Sequence, residues 1–198
     1  MASEIFIRKQ ALRQELRTRY KLLPATDRAN ASSLLCSRIK ELEFWHKAQS
    51  VLFYVPLPDE PDIRSLMAEV LNAGKVITLP RFMKEEGQYA AARIGDYDKD
   101  VKPGKFDIIE PRTRCALYPL NQLDLVLVPG VAFDVNGYRL GRGKGFYDRL
   151  LAQVKGVKCG IAFDWQVAPQ IPAEPHDVRL NCVLTPTRWL EIATTAQR

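Results

Sequence analysis

A glycine-rich, basic segment at residues 139–150 has the residue types that bind polyphosphates. Glycines occupy positions 137, 141, 143 and 145, and four cations lie between or just after them: Arg139, Arg142, Lys144 and Arg149. Glycine lets the backbone approach a ligand closely, and successive N–H groups can then form a concave anion site. The start of a following helix would add a positive dipole end. Asp148 follows this loop, in a place where a carboxylate could bind magnesium associated with a phosphate.

Neither of two common phosphate-binding motifs matches this segment. A P-loop needs G-x-x-x-x-G-K-[ST], but Gly145 follows Lys144, and Tyr138 occupies the position of the first glycine. A dinucleotide-binding fingerprint needs G-x-G-x-x-G, whereas the glycines at 141, 143 and 145 are spaced G-x-G-x-G. The spacing alone is therefore equally compatible with a phosphate site and with a structural turn whose cations are solvated.

The positive charge of the chain is concentrated in two places. The formal net charge is +6, residues 1–21 contain six cations and two acids, and residues 139–149 contain four cations and Asp148. The rest of the chain is nearly neutral, which suits a compact polyphosphate ligand better than a long nucleic-acid duplex. Lys9, Arg13 and Arg17 recur every fourth residue and would share one helix face. That spacing is also typical of a solvated basic surface.

Length and composition indicate a single soluble domain that covers residues 1–198. Hydrophobic residues make up 46% and charged residues 26% of the chain, which is typical of a globular protein with a sizeable core. Neither a membrane span nor a signal peptide is indicated. Four scattered cysteines favour reduced structural thiols and a cytoplasmic location. We expect a monomer, and we expect His176 to be an exposed loop histidine without ligand-spaced partners.

Helical and strand-like segments alternate along the chain. Helices are predicted from an N-cap at Ser3, over residues 26–42, from Pro61 to a stop at Gly74, and over residues 146–154. Short apolar and alternating runs predict strands over residues 51–55, 76–79, 88–94, 108–111, 123–128, 131–133, 157–163 and 181–184.

This succession predicts a parallel sheet with helices on both faces. Residues 123–128 are the most apolar strand and are expected near the centre of the sheet. Glu60 follows the first strand, at the edge where α/β proteins bind ligands. Solvation alone would also explain a single glutamate in a loop.

The sequence around the glycine-rich segment resembles a known family signature. The resemblance rests on PGVAFD at 129–134, Gly137, RLGRGKGFYD at 139–148, Lys9, Arg13, FYVPLPDE ending at Glu60, KFDIIEP at 105–111 and Asp177. With these residues the chain is similar to the 5-formyltetrahydrofolate cyclo-ligase family, also called methenyltetrahydrofolate synthetase. The resemblance covers nearly the whole chain.

The resemblance implies a three-layer α/β/α fold with a mostly parallel central sheet and a coenzyme-A-transferase-like, Rossmann-like topology. It also implies closure of 5-formyltetrahydrofolate to 5,10-methenyltetrahydrofolate, with ATP and Mg2+, through a phosphorylated formyl group and with release of ADP and phosphate. Placement of the reactants and neutralisation of charge would provide most of the catalysis. The alternatives are a non-catalytic folate or nucleotide binder and a nucleic-acid-binding protein. We expect neither a nucleic acid nor a membrane as partner.

The resemblance also implies roles for particular side chains. Lys144 and Arg142 are expected to stabilise the transferring phosphoryl group, and Tyr147 is a third catalytic candidate that could instead pack the helix start. Asp148 is expected to bind Mg2+, with Asp177 as a second and less direct ligand.

The two substrates are expected to share the glycine-rich loop. A carboxylate can accept paired hydrogen bonds from an aminopyrimidine edge, as the pterin end of folate presents. The expected folate contacts are Val55, Glu60, Arg142, Gly143, Lys144, Gly145 and Phe146. The expected ATP contacts are Lys9, Arg13, Arg139, Leu140, Gly141, Arg142, Gly143, Lys144, Gly145, Phe146 and Tyr147.

Overall fold

The computed structural model describes residues 4–105 and 108–193. Its helices are α1 (Glu4–Lys21), α2 (Ala25–Ile39), α3 (Glu43–Lys47), α4 (Ser65–Asn72), α5 (Tyr97–Asp100) and α6 (Phe146–Leu151). Its strands are β1 (Ser50–Leu52), β2 (Val76–Met83), β3 (Gln88–Ile94), β4 (Val101–Pro103), β5 (Ile109–Pro111), β6 (Leu117–Tyr118), β7 (Leu125–Val128), β8 (Ala132–Asp134), β9 (Arg139–Leu140), β10 (Val157–Ile161), β11 (Val167–Ala168), β12 (Cys182–Leu184) and β13 (Trp189–Glu191).

Eight strands form the central sheet, in the order β13-β12-β10-β7-β1-β2-β3-β6. The five strands from β12 to β2 run parallel, and antiparallel strands flank them at both edges. The predicted mostly parallel α/β sheet is therefore confirmed. The strand β7 lies in the interior between β10 and β1, as its apolar sequence predicts.

The alternation of side chains along β7 divides the core between the two faces of the sheet. Leu125 and Leu127 belong to the cluster that includes buried residues of α2, α3 and α4. Val126 and Val128 belong to the opposite cluster, which includes Leu150 and Leu151 of α6. Because successive strand residues point to opposite faces, a strand that is apolar at every position is covered on both sides. Helices therefore lie against both faces, as in an α/β/α arrangement.

The first helix packs on a separate small sheet with the strand order β11-β8-β9. Leu16 of α1 is buried with Ala132, Leu140 and Ile171. This packing places α1 next to the glycine-rich segment, which begins in β9. Among the described residues, no helix combines the length and the apolar character that crossing a bilayer requires.

Several predicted boundaries are wrong, for local reasons. Pro61 does not begin a helix, since α4 begins at Ser65, and the Pro61 carbonyl accepts a hydrogen bond from the Tyr54 hydroxyl at 2.8 Å. β2 continues past Pro80 to Met83 because it pairs with β3 over seven residue pairs. β1 pairs with β2 only as far as Thr78. No strand therefore lies on that side of Pro80 to accept the hydrogen bond that a proline cannot donate. The predicted cap Ser3 lies outside the described residues.

The other elements agree in type, and differ mainly in their ends. α2 ends at Ile39 and α6 at Leu151, each three residues before the predicted end. β1 is shorter than predicted, and residues 132–134 form β8 in the small sheet. The stop at Gly74 is confirmed by its φ of +71°, which glycine adopts without strain. All four cysteines are free and buried.

Candidate active site

A cavity of about 460 Å³ lies at the carboxyl ends of β1 and β7. These two strands are parallel neighbours, so the segments that follow them meet at the same edge of the sheet. Every residue expected to contact a substrate or a metal lines this cavity: Lys9, Arg13, Val55, Glu60, Arg139, Leu140, Gly141, Arg142, Gly143, Lys144, Gly145, Phe146, Tyr147, Asp148 and Asp177. The fold therefore brings together residues that are up to 168 positions apart.

A buried aspartate shapes the turn that leads into the glycine-rich loop. Asp134 is fully buried, and its Oδ1 accepts hydrogen bonds from the N–H groups of Asn136 and Tyr138. Its Oδ2 accepts a hydrogen bond from the N–H of Ile171. Gly137, inside this turn, has a φ of +83°. Backbone groups satisfy the carboxylate, so Asp134 holds the loop and does not face the ligand.

Two glycines of the loop are favoured by their conformation, and a third lies close to the side chain of Arg139. Gly143 and Gly145 have φ values of +95° and +63°, in the region that side chains other than glycine rarely adopt. At Gly141, an added Cβ would lie 2.7 Å from Nη1 of Arg139. The short helix α6 begins at Phe146, immediately after Gly145, as predicted.

The helix α1 is tied to two distant loops by its basic face. Nζ of Lys9 lies 2.8 Å from Oε2 of Glu174 and 2.7 Å from Oδ2 of Asp177. Burial alone would lower the pKa of the Lys9 ammonium, but the hydrogen bonds to the two carboxylates outweigh burial and raise it. Nε of Arg13 donates to the carbonyl of Gly141 at 2.9 Å. Lys9 and Arg13 are therefore turned toward the cavity, and the interpretation of Lys9 as part of a solvated surface is wrong. Arg17 of the same face is exposed and does not line this cavity.

Glu60 is a buried carboxylate at the cavity wall, with a relative side-chain exposure of 6%. Its Oε2 accepts from the N–H of Leu57 at 3.0 Å, and its Oε1 accepts from Nη2 of Arg142 at 3.1 Å. Burial raises the pKa of Glu60, and these two donors oppose that change. Asp59 also accepts from Nη2 of Arg142, at 2.6 Å. Arg142 is thus neutralised by two carboxylates.

A second buried ion pair lies beneath the loop. Nη2 of Arg139 donates to both carboxylate oxygens of Asp148 at 3.1 Å, and its guanidinium lies 5.4 Å from the centre of the Tyr147 ring. Nε of Arg139 is buried without a hydrogen-bond partner. Loss of solvent raises the pKa of the Tyr147 hydroxyl, and the Glu60 carboxylate adds to this effect. Tyr147 is therefore a neutral donor at any physiological pH.

Two cations of the cavity have no carboxylate partner among the described residues. Lys144 is exposed at the tip of the loop and belongs to none of the ion pairs of residues 4–105 and 108–193. Arg13 contacts only the carbonyl of Gly141 through Nε, and burial lowers its pKa with no carboxylate to oppose the change. Lys9, Arg139 and Arg142 are already neutralised by acids. The unpaired cations are therefore the ones best placed to receive an anionic ligand.

Aromatic residues form an apolar wall on the side of α6. The rings of Phe82, Tyr89 and Phe146 contact one another edge to face, with centroids 5.4 to 5.5 Å apart. Phe82 and Tyr89 are cross-strand partners in the β2–β3 hairpin. Tyr89 and Phe146 line the cavity, together with Ile108 and Ile109. This wall can pack against a flat heterocycle, while Glu60 offers a polar contact within the same cavity.

The carboxylates expected to bind magnesium retain the capacity to do so. Each oxygen of Asp148 accepts one hydrogen bond from Arg139 and keeps a second lone pair. Oδ2 of Asp177 accepts from Lys9 and from the N–H of Glu174, whereas Oδ1 faces His176 at 3.8 Å. Magnesium binds one or two carboxylates together with substrate phosphates and several waters, so this donor set fits it.

His176 is exposed as expected, but it does not lack ligand-spaced partners. Glu174, His176 and Asp177 place ligand atoms within 4.8 Å of one another. Lys9 already contacts both acids, so this group forms an ion-pair cluster at the cavity wall.

Sequence reasoning missed several residues of the site: Tyr54, Asp59, Phe82, Tyr89 and Glu174. Asp59 and Glu174 are the carboxylates that hold Arg142 and Lys9. The pairing of strands β2 and β3 in a hairpin was the available signal for the aromatic wall. Nothing in the sequence, by contrast, pairs Glu174 with a residue 165 positions earlier.

The chain is similar to known proteins over most of its length. Residues 6–186 match the model of the 5-formyltetrahydrofolate cyclo-ligase family. The chain belongs to this family. Among its relatives, a 5-formyltetrahydrofolate cyclo-ligase from Mycolicibacterium smegmatis is 32% identical over 191 residues, covering 92% of this chain and 95% of that protein. A mouse 5-formyltetrahydrofolate cyclo-ligase is 28% identical over 192 residues, covering 89% and 92%.

Solved structures of family members share the fold. The 5,10-methenyltetrahydrofolate synthetase of Aquifex aeolicus superimposes with a TM-score of 0.85 at 32% identity, covering 96% of this chain and 95% of that one. A 5,10-methenyltetrahydrofolate synthetase from Mycoplasma pneumoniae has a TM-score of 0.72 at 22% identity, covering 90% and 98%, and supports the fold alone. The shared fold therefore extends over most of this chain.

Proposed function

We propose that this chain converts 5-formyltetrahydrofolate and ATP to 5,10-methenyltetrahydrofolate, ADP and phosphate, with magnesium. The observation that carries the proposal is the contact of Arg142 with Glu60, 82 residues apart in sequence, at 3.1 Å inside one cavity. This contact joins the glycine-rich cationic loop to the carboxylate suited to a pterin. A phosphoryl-binding group and a folate-binding group therefore face the same space, as a transfer between the two substrates requires.

The reaction needs activation of a poor leaving group. The formyl oxygen attacks the γ-phosphorus of ATP, the bond from that phosphorus to the β–γ bridging oxygen breaks, and ADP leaves. N10 then attacks the formyl carbon and loses its proton, and the activated oxygen departs as phosphate. Both steps place negative charge on phosphoryl oxygens, so cations and in-line positioning provide most of the catalysis.

Among the described residues that line the large cavity, Lys144 and Arg13 are cations without a carboxylate partner, so they would face this charge. Lys144 lies at the tip of the loop with its ammonium exposed, so it can reach the transferring group. Arg13 is fixed by its bond to Gly141 and presents its remaining N–H groups to the cavity. Asp148 and Asp177 would hold the magnesium ion, which neutralises phosphate charge when it is bound.

Glu60 and the aromatic wall would hold the pterin. The Glu60 carboxylate accepts hydrogen bonds from the aminopyrimidine edge, and to do so it must give up its bond with Arg142 at Oε1. Asp59, at 2.6 Å from the same guanidinium nitrogen, keeps Arg142 at the cavity wall during this exchange. Arg142 is then available to the phosphoryl group. Folate binding would thus prepare the cation that the next step needs.

Arg139 and Tyr147 would have supporting roles in the same site. Arg139 is buried and donates through Nη2 to both oxygens of Asp148, so it would orient that carboxylate instead of contacting ATP directly. The Tyr147 hydroxyl stays protonated because burial raises its pKa, and it can therefore donate a hydrogen bond but not act as a base.

The test is a turnover assay with purified protein. ATP, magnesium and 5-formyltetrahydrofolate should yield methenyltetrahydrofolate, which absorbs in the near ultraviolet where the substrate does not, together with one equivalent of ADP. Absence of product at saturating ATP would refute the proposal. Stabilisation by either ligand without release of ADP would instead identify a non-catalytic binder of the same fold.

A further inference from the structure

A second, smaller cavity adjoins the candidate active site. It has a volume of about 80 Å³ and is separated from the large cavity by Arg13 and Arg142, which line both. Its other walls come from α1, from the loop after β1, from the residue before β8 and from the segment before β11: Leu16, Arg17, Tyr20, Asp59, Val131, Trp165 and Gln166. Asp59 and Glu60 are adjacent in sequence, but they line different cavities.

The small cavity has an excess of positive charge. Arg13, Arg17 and Arg142 line it, and Asp59 is the one acid among its lining residues. Asp59 already binds Arg142 at 2.6 Å. Among the ion pairs of the described residues, none involves Arg13 or Arg17. Arg13, which is half-buried, and Arg17, which is exposed one helical turn later, therefore line this space without a carboxylate counter-ion among the described residues.

Arg19, which like Arg17 is exposed on α1, does have a counter-ion. Arg19 of α1 pairs with Glu15 at 2.7 Å, so the sequence supplies a counter-ion there. Two like charges four residues apart on a helix repel each other and destabilise it. Arg13 and Arg17 repel each other beside the small cavity, and an anion bound in that cavity would offset the repulsion.

The size of the cavity limits what can occupy it. The small cavity has less than a fifth of the volume of the large one, so it suits a single charged group and not a whole pterin or nucleotide, whose sites typically have about 300 to 1,000 Å³. Because Arg13 and Arg142 form the shared wall, a ligand in the large cavity could place a terminal anionic group between them. Trp165 and Tyr20 give the small cavity an aromatic boundary.

We infer that Arg17, together with Arg13, forms a subsite that binds one anionic group of a substrate held in the large cavity. This inference rests on the proposed function, which supplies two candidate groups of the same chemistry. One is a carboxylate of the glutamate part of 5-formyltetrahydrofolate, and the other is a phosphate of ATP. Arg17 thereby contributes to the affinity for a substrate and not to the chemical step.

The experiment compares Arg17→Gln with Arg8→Gln. Arg8 is exposed on the same helix and lines neither cavity, so its variant removes the same charge and serves as the control. Calorimetry measures the dissociation constants of ATP and of 5-formyltetrahydrofolate separately, and steady-state kinetics measures KM and kcat. Loss of a charge-assisted contact predicts a rise of about tenfold in one dissociation constant for Arg17→Gln, with kcat unchanged and no such rise for Arg8→Gln.

The two sources of the anion give different results. If the group is a phosphate, the dissociation constant of ATP rises, and that of the folate does not. If it is a glutamate carboxylate, the constant of 5-formyltetrahydrofolate rises, whereas that of 5-formyltetrahydropteroate, which lacks glutamate, is equal in the wild type and Arg17→Gln. Constants for both ligands that match those of Arg8→Gln would overturn the inference while leaving the proposed function intact. A wild-type protein without turnover would refute the proposed function itself.

Discussion

Replacement of Lys144 by alanine separates the effect of a loop cation on turnover from its effect on stability. Lys144 is exposed and has no carboxylate partner among the described residues, so its removal leaves no buried charge unpaired. Exposed substitutions of this kind change the free energy of unfolding by about 0.5 kcal/mol or less. For a chain of this size that corresponds to a shift in Tm of about 2 °C or less.

The effect of the same substitution on turnover should be large. A donor aimed at charge that develops in the transition state contributes about 10²- to 10³-fold in kcat, or roughly 2.7 to 4 kcal/mol. Lys144→Ala should therefore lose at least about 10²-fold in kcat while it unfolds at nearly the wild-type temperature.

Arg142→Ala provides the contrast. Arg142 holds Asp59 at 2.6 Å and Glu60 at 3.1 Å, and Glu60 is buried. Leaving a buried acceptor unsatisfied costs about 1 to 3 kcal/mol. Because 1 kcal/mol corresponds to about 2 to 4 °C in a chain of this size, Arg142→Ala should show a clearly lower Tm as well as reduced turnover.

The assay combines the absorbance of methenyltetrahydrofolate with thermal unfolding of each variant. Lys155→Ala is the matched control, since Lys155 is an exposed lysine that does not line the active-site cavity. Near-normal kcat in Lys144→Ala would show that the loop does not act on the phosphoryl group. A fall in Tm of more than about 5 °C in Lys144→Ala would instead show that Lys144 makes a contact that stabilises the fold.

Two further predictions concern the folate carboxylate and an acid outside the site. Glu60→Gln should raise KM for 5-formyltetrahydrofolate by about 10- to 100-fold, because an amide replaces a charged acceptor; an unchanged KM in steady-state kinetics would remove Glu60 from the folate site. Burial would raise the pKa of Asp164, but hydrogen bonds from Thr185 and Thr187 outweigh burial and hold this pKa below its usual 3.8. The ionised carboxylate therefore contributes fully to stability above pH 3.8, and this contribution is lost as the pH falls through the lowered pKa. Urea unfolding at acidic pH should therefore show a smaller loss of stability in Asp164→Asn than in the wild type, and equal losses would contradict this origin of acid sensitivity.

Local sequence patterns predicted most of the fold. β7 is apolar at every position, and a strand of this kind is stable only when both of its faces are covered, so its interior place in a parallel sheet follows from residue type. The end of α4 near Gly74 follows from the freedom of glycine at positive φ. The start of α4 and the length of β2 did not follow. They depend on the bond of Tyr54 to the Pro61 carbonyl and on pairing with β3, which are contacts between segments.

For the site, the sequence by itself predicted a set of residues that proves to line one cavity, and the tertiary structure decided which of its cations are paired with acids. The types and spacing of Arg139 to Asp148 indicate a phosphate-binding loop, because glycine and cations have that chemistry wherever they lie. Their charge balance, however, depends on acids brought in from distant parts of the chain. Asp59 and Glu60 reach Arg142, and Glu174 and Asp177 reach Lys9. Only the folded chain shows that Lys144, Arg13 and Arg17 have no such partner within residues 4–105 and 108–193, since an ion pair forms through space and leaves no pattern in sequence.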